Sequence, residues 1–172
     1  NRLLRIATVD DPRAYLEIIA IDPGADGARK RAEPRWFGMD EPGLAQALEA
    51  GGPRLVHFVA SVPGLPAALG ALDRLGIDGG EALEASRMTP KGELRWSIAV
   101  RADGRRLFDG CLPTLIQWGD MHPAPSMPAS GVTLESLAVS HPRATELRAA
   151  YDAIGLERVR IQDGDANLTA TL

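Results

Sequence analysis

The fold is decided by residues 54–76, which read RLVHFVASVPGLPAALGALDRLG. The first eight residues are mostly β-branched, aromatic or aliphatic and lie between Pro53 and Pro63, which predicts a strand. From residue 64 onward, apolar side chains recur at helical spacing, and Gly76 stands where a helix would end. The stretch therefore predicts a β–α unit, with a polar His57 in the middle of its strand.

The same unit recurs 79 positions later in the chain (136 − 57 = 79). Residues 133–156 align with residues 54–77 without a gap, and their turn residues coincide: Ser61 with Ser140, Pro63 with Pro142, and Gly76 with Gly155. A gapless match of turn residues favours a duplication, although two unrelated amphipathic β–α units could resemble each other by chance. The second copy carries Ser136 in place of His57, so any chemistry held by one copy is expected in the first.

Charge and cysteine content exclude several classes of protein. The net charge of −4 disfavours a nucleic-acid partner, and the basic cluster at residues 29–31 is interpreted as a solvated loop. No apolar run is long enough to cross a bilayer, so we expect no membrane partner. A single cysteine, Cys111, excludes an internal disulfide and suits a reducing compartment, which predicts a cytoplasmic protein.

Residues 1–21 are predicted to form a hairpin, and the chain opens already inside its first strand. We therefore expect that functional residues lie upstream of Asn1. Alternation in the second strand places Tyr15 and Glu17 on one face, in a segment that is apolar on both sides. A carboxylate there needs a partner. The alternatives are an edge strand that exposes Glu17 to water and a Glu–Arg pair within a sheet.

Three further strands are predicted after the central unit, at residues 81–88, 93–100 and 112–118, which gives the order β–α–β–β–β. Arg95 and Ser97 alternate onto the polar face of the middle strand, and Gln117 lies in the last. Residues 22–42 are irregular and rich in glycine and proline, with Trp36 and Phe37 expected to anchor them. His122 and His141 stand beside prolines at loop edges, and we interpret both as surface residues.

Five blocks of the sequence resemble the glyoxalase-like domain family: NRLLR at 1–5, YLEIIAID at 15–22, PRWFG at 34–38, RLVH at 54–57 and LPTLIQW at 112–118. This family is part of the vicinal oxygen chelate superfamily, which includes glyoxalases, bleomycin resistance proteins and extradiol dioxygenases. The resemblance implies an α+β fold in which repeated βαβββ modules form curved, mostly antiparallel sheets with helices on the outer face.

The resemblance also implies how the chain is divided. Residues 1–172 would form a single glyoxalase-like domain. Residues 1–21 would end a first module that lacks its first strand and helix, residues 54–118 would form a second module, and residues 133–172 a third, partial one.

A metal site follows from the same resemblance. Glu17, His57 and Gln117 match the positions from which members of the superfamily coordinate a divalent Fe, Mn, Ni or Zn ion. Gln117 departs from the usual glutamate, and the remaining ligand would lie on a strand upstream of the sequence. We therefore expect metal to be weakly held or absent here. From the residues alone, a hydrogen-bonded core histidine is as good an interpretation of His57 as a metal ligand.

Two classes of function stay open. One is a metal-assisted lyase, isomerase or dioxygenase acting on a small oxygenated metabolite, with Glu17 and His57 as catalytic residues and Arg95, Ser97 and Tyr15 binding the substrate. The other is a non-catalytic binding or sequestering protein of the same fold, using an apolar cup of Trp96, Trp118 and Tyr15. Arg95 would alternatively pair with Glu93, and a homodimer is left open.

These hypotheses share one geometric prediction. Strand alternation is expected to point Glu17, His57, Arg95 and Gln117 into a single concavity.

Overall fold

A computed structural model describes residues 1–21 and 34–172 of the protein. The predicted basic loop at residues 29–31 and the first part of the irregular segment fall outside the described residues. The described elements, in chain order, are β1 (Arg2–Arg5), β2 (Tyr15–Ile18), α1 (Pro42–Gly51), β3 (Val59–Ser61), α2 (Leu65–Asp73), β4 (Glu81–Thr89), β5 (Gly92–Val100), β6 (Thr114–Trp118), β7 (Ser136–Ser140), α3 (Ala144–Ile154), β8 (Val159–Gln162) and β9 (Asn167–Thr171).

The strands form three sheets, which confirms the predicted α+β class. β1 and β2 pair as a hairpin, the second sheet has the order β3-β6-β5-β4, and the third has the order β8-β7-β9. All neighbouring strands are antiparallel except β3 with β6 and β7 with β8. The predicted sequence β–α–β–β–β is therefore present once in full, from β3 to β6.

The strand that was predicted at residues 54–61 is shorter than expected, because β3 begins only at Val59. Its partner β6 begins at Thr114, and the preceding Pro113 has no backbone N–H to extend the ladder. Further back, the Val56 carbonyl accepts a hydrogen bond from the Arg106 guanidinium at 2.9 Å instead of from a strand. His57 consequently lies in the irregular approach to β3 and not within a strand.

Both copies of the predicted repeat are observed as a strand followed by a helix, and the two helices end in the same way. Gly76 and Gly155 have φ angles of 72° and 69°. Each glycine amide bonds to the carbonyl three residues before it, and the next amide bonds to the carbonyl five residues before it. This is the hydrogen-bond pattern of a Schellman C-cap. The sheets differ, however, since β3 lies at an edge and β7 in the centre.

The core joins the second and third sheets through α2 and α3, which pack against each other. Leu65 and Leu72 of α2 and Leu147 and Tyr151 of α3 are almost fully buried, together with Leu115 of β6. The Tyr151 hydroxyl donates to the carbonyl of Cys111, whose own thiol is buried. The core thus covers the helix-facing side of the second sheet. The ends of this sheet and its opposite face remain for other contacts.

Candidate functional site

A solvent-open pocket lies at one end of the second sheet, where β5 ends and β6 begins. It encloses about 460 Å³ of empty space, including space that is open to solvent. Its rim combines Trp36 and Phe37 from the segment before α1 with residues 104–107, and Leu72, Leu112 and Leu115 form its floor. Its polar side chains are His57, Arg101, Arg105, Arg106 and Thr114.

His57 is held at the pocket wall by hydrogen bonds to both ring nitrogens. The Thr114 amide and hydroxyl lie 3.2 Å and 3.0 Å from Nε2, and the Gly110 carbonyl lies 3.2 Å from Nδ1. Because an amide can only donate, Nε2 is the acceptor, so Nδ1 carries the proton and donates to Gly110. The ring is therefore neutral and fixed in one tautomer.

The surroundings of His57 oppose its protonation. Burial, assisted by the nearby charge of Arg106, lowers the pKa of His57 to about 4, against the opposing effect of its hydrogen bond to the Gly110 carbonyl. The Phe37 ring lies on the imidazole, with centroids 5.4 Å apart. At neutral pH the imidazole of His57 is thus uncharged, and its Nε2 lone pair accepts a hydrogen bond from the Thr114 amide.

Two turns with unusual backbone angles hold this histidine. Phe37 has a φ angle of 61°, and Phe108 and Asp109 have φ angles of 49° and 54°, in the left-handed region that side chains other than glycine seldom adopt. Gly110 follows with a φ angle of 95°, and a Cβ there would lie 2.3 Å from the Val56 carbonyl oxygen. Such strain persists only where surrounding contacts enforce it, and it clusters at functional sites.

The three arginines of the pocket differ in what they bind. Arg101 forms ion pairs with Asp78 at 2.6 Å and with Asp103 at 2.8 Å, and Arg106 pairs with Glu41 at 2.6 Å. The Arg105 guanidinium has no hydrogen-bond or ion-pair partner in residues 1–21 and 34–172, and the side chain is exposed. None of the three was among the residues predicted for the site, although Arg105 and Arg106 stand side by side in the sequence directly after Gly104.

Gln117 does not face His57. Its Oε1 accepts a hydrogen bond of 2.7 Å from the Leu65 amide, at the first turn of α2. Thr114, which binds His57, is three residues earlier on the same strand, and residues an odd number apart point to opposite faces. Gln117 therefore satisfies one of the free amides at a helix N-terminus, which explains a polar residue at this position.

The other residues predicted for the site are also dispersed. Arg95 is exposed and bonds to Glu93 at 2.7 Å, which is the alternative interpretation of that residue. Ser97 donates to Glu84 and lies opposite Gln117, on the helix-facing side of the sheet. The structure therefore does not bring Arg95, Ser97 and Gln117 together with His57. Their side chains bond elsewhere: Arg95 to Glu93, Ser97 to Glu84 and Gln117 to the Leu65 amide.

Glu17 and Tyr15 lie on the β1–β2 hairpin. Glu17 is exposed and accepts a hydrogen bond of 2.7 Å from the Asn1 side chain, which matches the edge-strand alternative. Tyr15 is half-buried beside His122, with ring centroids 6.0 Å apart, and burial together with the Glu17 charge raises its pKa. Tyr15 thus lies near Trp118, with His122 between them, and does not line the His57 pocket.

The interpretation of His122 and His141 as surface residues is wrong. His141 is 3% exposed, and it bonds to Asp109 at 3.2 Å through Nε2 and to the Arg143 amide at 3.0 Å through Nδ1. His122 is half-buried against Trp118, and burial with the nearby Arg13 charge lowers its pKa to about 4. A local pattern could not show this burial. The partner of His141 is 32 residues away in the sequence, and His122 is half-buried by its contact with the Trp118 ring.

The donor set predicted for a divalent metal does not fit one ion as the residues stand. Within the described part of the chain, no group of three or more His, Cys, Asp or Glu side chains is placed to hold a metal. Glu17 bonds to Asn1, Gln117 caps α2, and both nitrogens of His57 are engaged within the protein.

Comparison with known proteins places the chain in a family. A family model described as glyoxalase-like domain matches residues 1–155, which is most of the sequence. No curated protein and no solved structure matches the chain. Among the described residues, no helix combines the length and apolar character that a membrane crossing requires. The match confirms the resemblance of the five sequence blocks, and the chain therefore belongs to the glyoxalase-like domain family of the vicinal oxygen chelate superfamily.

Proposed function

We propose that the protein binds a small oxygenated metabolite in the His57 pocket, and that binding, not metal-assisted turnover, is its role. One observation carries this proposal. The charged groups that line the pocket are all hydrogen-bond donors, Arg101, Arg105 and Arg106, and no carboxylate lines it within the described residues. Oxygen atoms of a ligand are the natural acceptors for guanidinium donors.

The state of His57 supports binding over acid–base catalysis. A general base needs a lone pair that can reach the substrate, and the lone pair of Nε2 is directed at the Thr114 amide. In this position the ring stabilises the pocket wall, while Trp36 and Phe37 supply apolar contact area. The ligand would lie against these rings and direct its oxygens toward the arginines.

The test is chemical-shift mapping of the isotope-labelled protein with a panel of α-hydroxy acids, α-keto acids, catechols and hydroxybenzoates. We expect at least one compound to shift the amide signals of His57, Leu107 and Thr114. Trp36→Ala should weaken that binding about tenfold, since it removes roughly 1.4 kcal/mol of aromatic contact.

Leu83→Ala is the matched control. Trp36 and Leu83 are 42% and 43% exposed, and Leu83 lies on the same face of the second sheet as Trp96, because it pairs with Ile98, which is two residues from Trp96 on β5. Shifts that centre on Trp96 and Trp118, and that respond to Leu83→Ala, would instead favour the apolar cup. If no compound of the panel binds the protein, the result counts against the proposal.

The metal hypothesis for Glu17, His57 and Gln117 keeps its own test. If Gln117 and His57 shared an ion, Gln117→Glu would raise the affinity for Mn or Ni, because a carboxylate offsets more of the dehydration cost than an amide does. Since the two side chains lie on opposite faces, we expect calorimetric titration to show no gain in affinity. A clear gain would restore the metal site. The homodimer and the cytoplasmic location stay predictions.

A further inference from the structure

The pocket has an uneven distribution of charge that points to the kind of ligand it takes. Arg101 and Arg106 are balanced by Asp78, Asp103 and Glu41, none of which lines the pocket. The Asp78 side chain is 73% exposed to solvent. The charged side chains that line the pocket itself are therefore all arginines.

Arg105 is the group whose charge is available to a ligand. Its backbone amide is fixed to the Asp103 carboxylate at 3.0 Å, which anchors the residue at the turn after β5. Its guanidinium, by contrast, forms no ion pair or hydrogen bond in the described ranges 1–21 and 34–172. Its charge acts on Asp103 only at longer range, where it adds to the larger effect of the Arg101 hydrogen bond in lowering the pKa of that carboxyl. A guanidinium offers two parallel N–H donors, a geometry that matches a carboxylate.

The aromatic and apolar part of the pocket lining suits a planar ligand. Trp36 and Phe37 meet nearly edge to face, with ring centroids 6.2 Å apart and planes at 77°. The Phe37 ring also contacts the His57 ring. The floor of leucines and Ala99 adds apolar area. Ring faces of this kind favour stacked or edge-on contact with another aromatic ring.

We propose that the ligand of this pocket is an aromatic monocarboxylate, with its carboxylate on Arg105 and its ring against Trp36 and Phe37. A single negative charge is favoured because, among the described residues that line the pocket, Arg105 is the arginine that forms no ion pair. This inference rests on the proposed function, since it names the ligand class for the same pocket.

The experiment compares 4-hydroxybenzoate with 4-hydroxybenzamide, which have nearly the same size and differ in charge. Titrations of the full chain are followed by chemical shifts of the pocket amides. We expect the carboxylate to bind about tenfold more tightly than the amide, as is typical when a charged hydrogen bond is lost. Arg105→Gln should remove that preference, and Arg105→Lys should retain part of it because the charge remains without the fork.

Arg160→Gln is the control, since Arg160 is an exposed arginine on β8, outside the pocket lining. The preference for the carboxylate should survive this change. Equal binding of carboxylate and amide in the pocket would overturn the inference but leave the proposed function standing. A preference that persists in Arg105→Gln, tighter binding of phenyl phosphate, or no binding of either hydroxybenzoyl compound would also overturn it. Only the failure of the whole panel would remove the proposed function as well.

Discussion

The neutral state of His57 predicts that the fold loses stability in mild acid. In the unfolded chain a histidine has a pKa near 6.5, whereas the pKa of His57 in the fold is about 4. Below pH 6.5 the unfolded state binds a proton that the folded state rejects. The contribution of His57 is therefore complete above pH 6.5, and it is lost as the pH falls toward 4.

The magnitude follows from the two pKa values. The full difference corresponds to about 3 kcal/mol, since one pKa unit is worth roughly 1.4 kcal/mol. Integration between pH 7 and pH 5 gives a loss of about 2 kcal/mol for His57 alone. His122, whose pKa is also lowered to about 4 by burial, adds to the loss in the same direction.

Urea denaturation at pH 7 and pH 5 measures this effect. His57→Gln lowers stability at both pH values, because it replaces a fitted ring, but it should reduce the difference between them by about 2 kcal/mol. His122→Gln should reduce the same difference independently. With three histidines in the chain, few other groups titrate in this interval. An unchanged pH difference in His57→Gln would refute the hydrogen-bond arrangement described for the ring.

Three other substitutions test the surroundings of the pocket and the core. Gly110→Ala should lower the free energy of unfolding by at least about 2 kcal/mol, since it combines a disfavoured φ angle with a clash at the Val56 carbonyl, and a near-neutral result in thermal melts would contradict this turn geometry. Gln117→Leu should cost about 1 kcal/mol by leaving the Leu65 amide unpaired, whereas Gln117→Glu should be neutral or slightly stabilising at a helix N-terminus, and equal effects in urea denaturation would argue against capping. Tyr151→Phe should cost about 1–2 kcal/mol by leaving a buried carbonyl without its donor, and unchanged stability in the same assay would exclude that hydrogen bond.

The sequence predicted the elements of the fold because their signals are local. The helical spacing in residues 64–76, the alternation around Trp96 and the glycines that end α2 and α3 all act within a few positions. The gapless repeat succeeded for the same reason, since each copy contains its own strand, helix and cap.

The candidate site was harder to predict from the sequence, because its contacts join residues that are far apart in the chain. His57 meets Thr114 across 57 positions, and the strand that was expected around it is shortened by Pro113 and Arg106. No local pattern could show that Gln117 would be taken by the N-terminus of α2. Similarly, a proline beside His141 says nothing about Asp109, which is 32 residues earlier.

The parallel pairing of β3 with β6 has a consequence for how the protein folds. β4 and β5 form a hairpin of near neighbours, and β6 adds to it over a short connection, whereas β3 must close a loop of about fifty residues to reach Thr114. We expect β3 to dock last, so that amides of β4 and β5 become protected from hydrogen exchange during refolding before the Val62 amide, which bonds to β6. Earlier protection of Val62 would contradict this order. A chain caught before the final step would have most of its sheet and no pocket, because His57 reaches its partners only when β3 arrives.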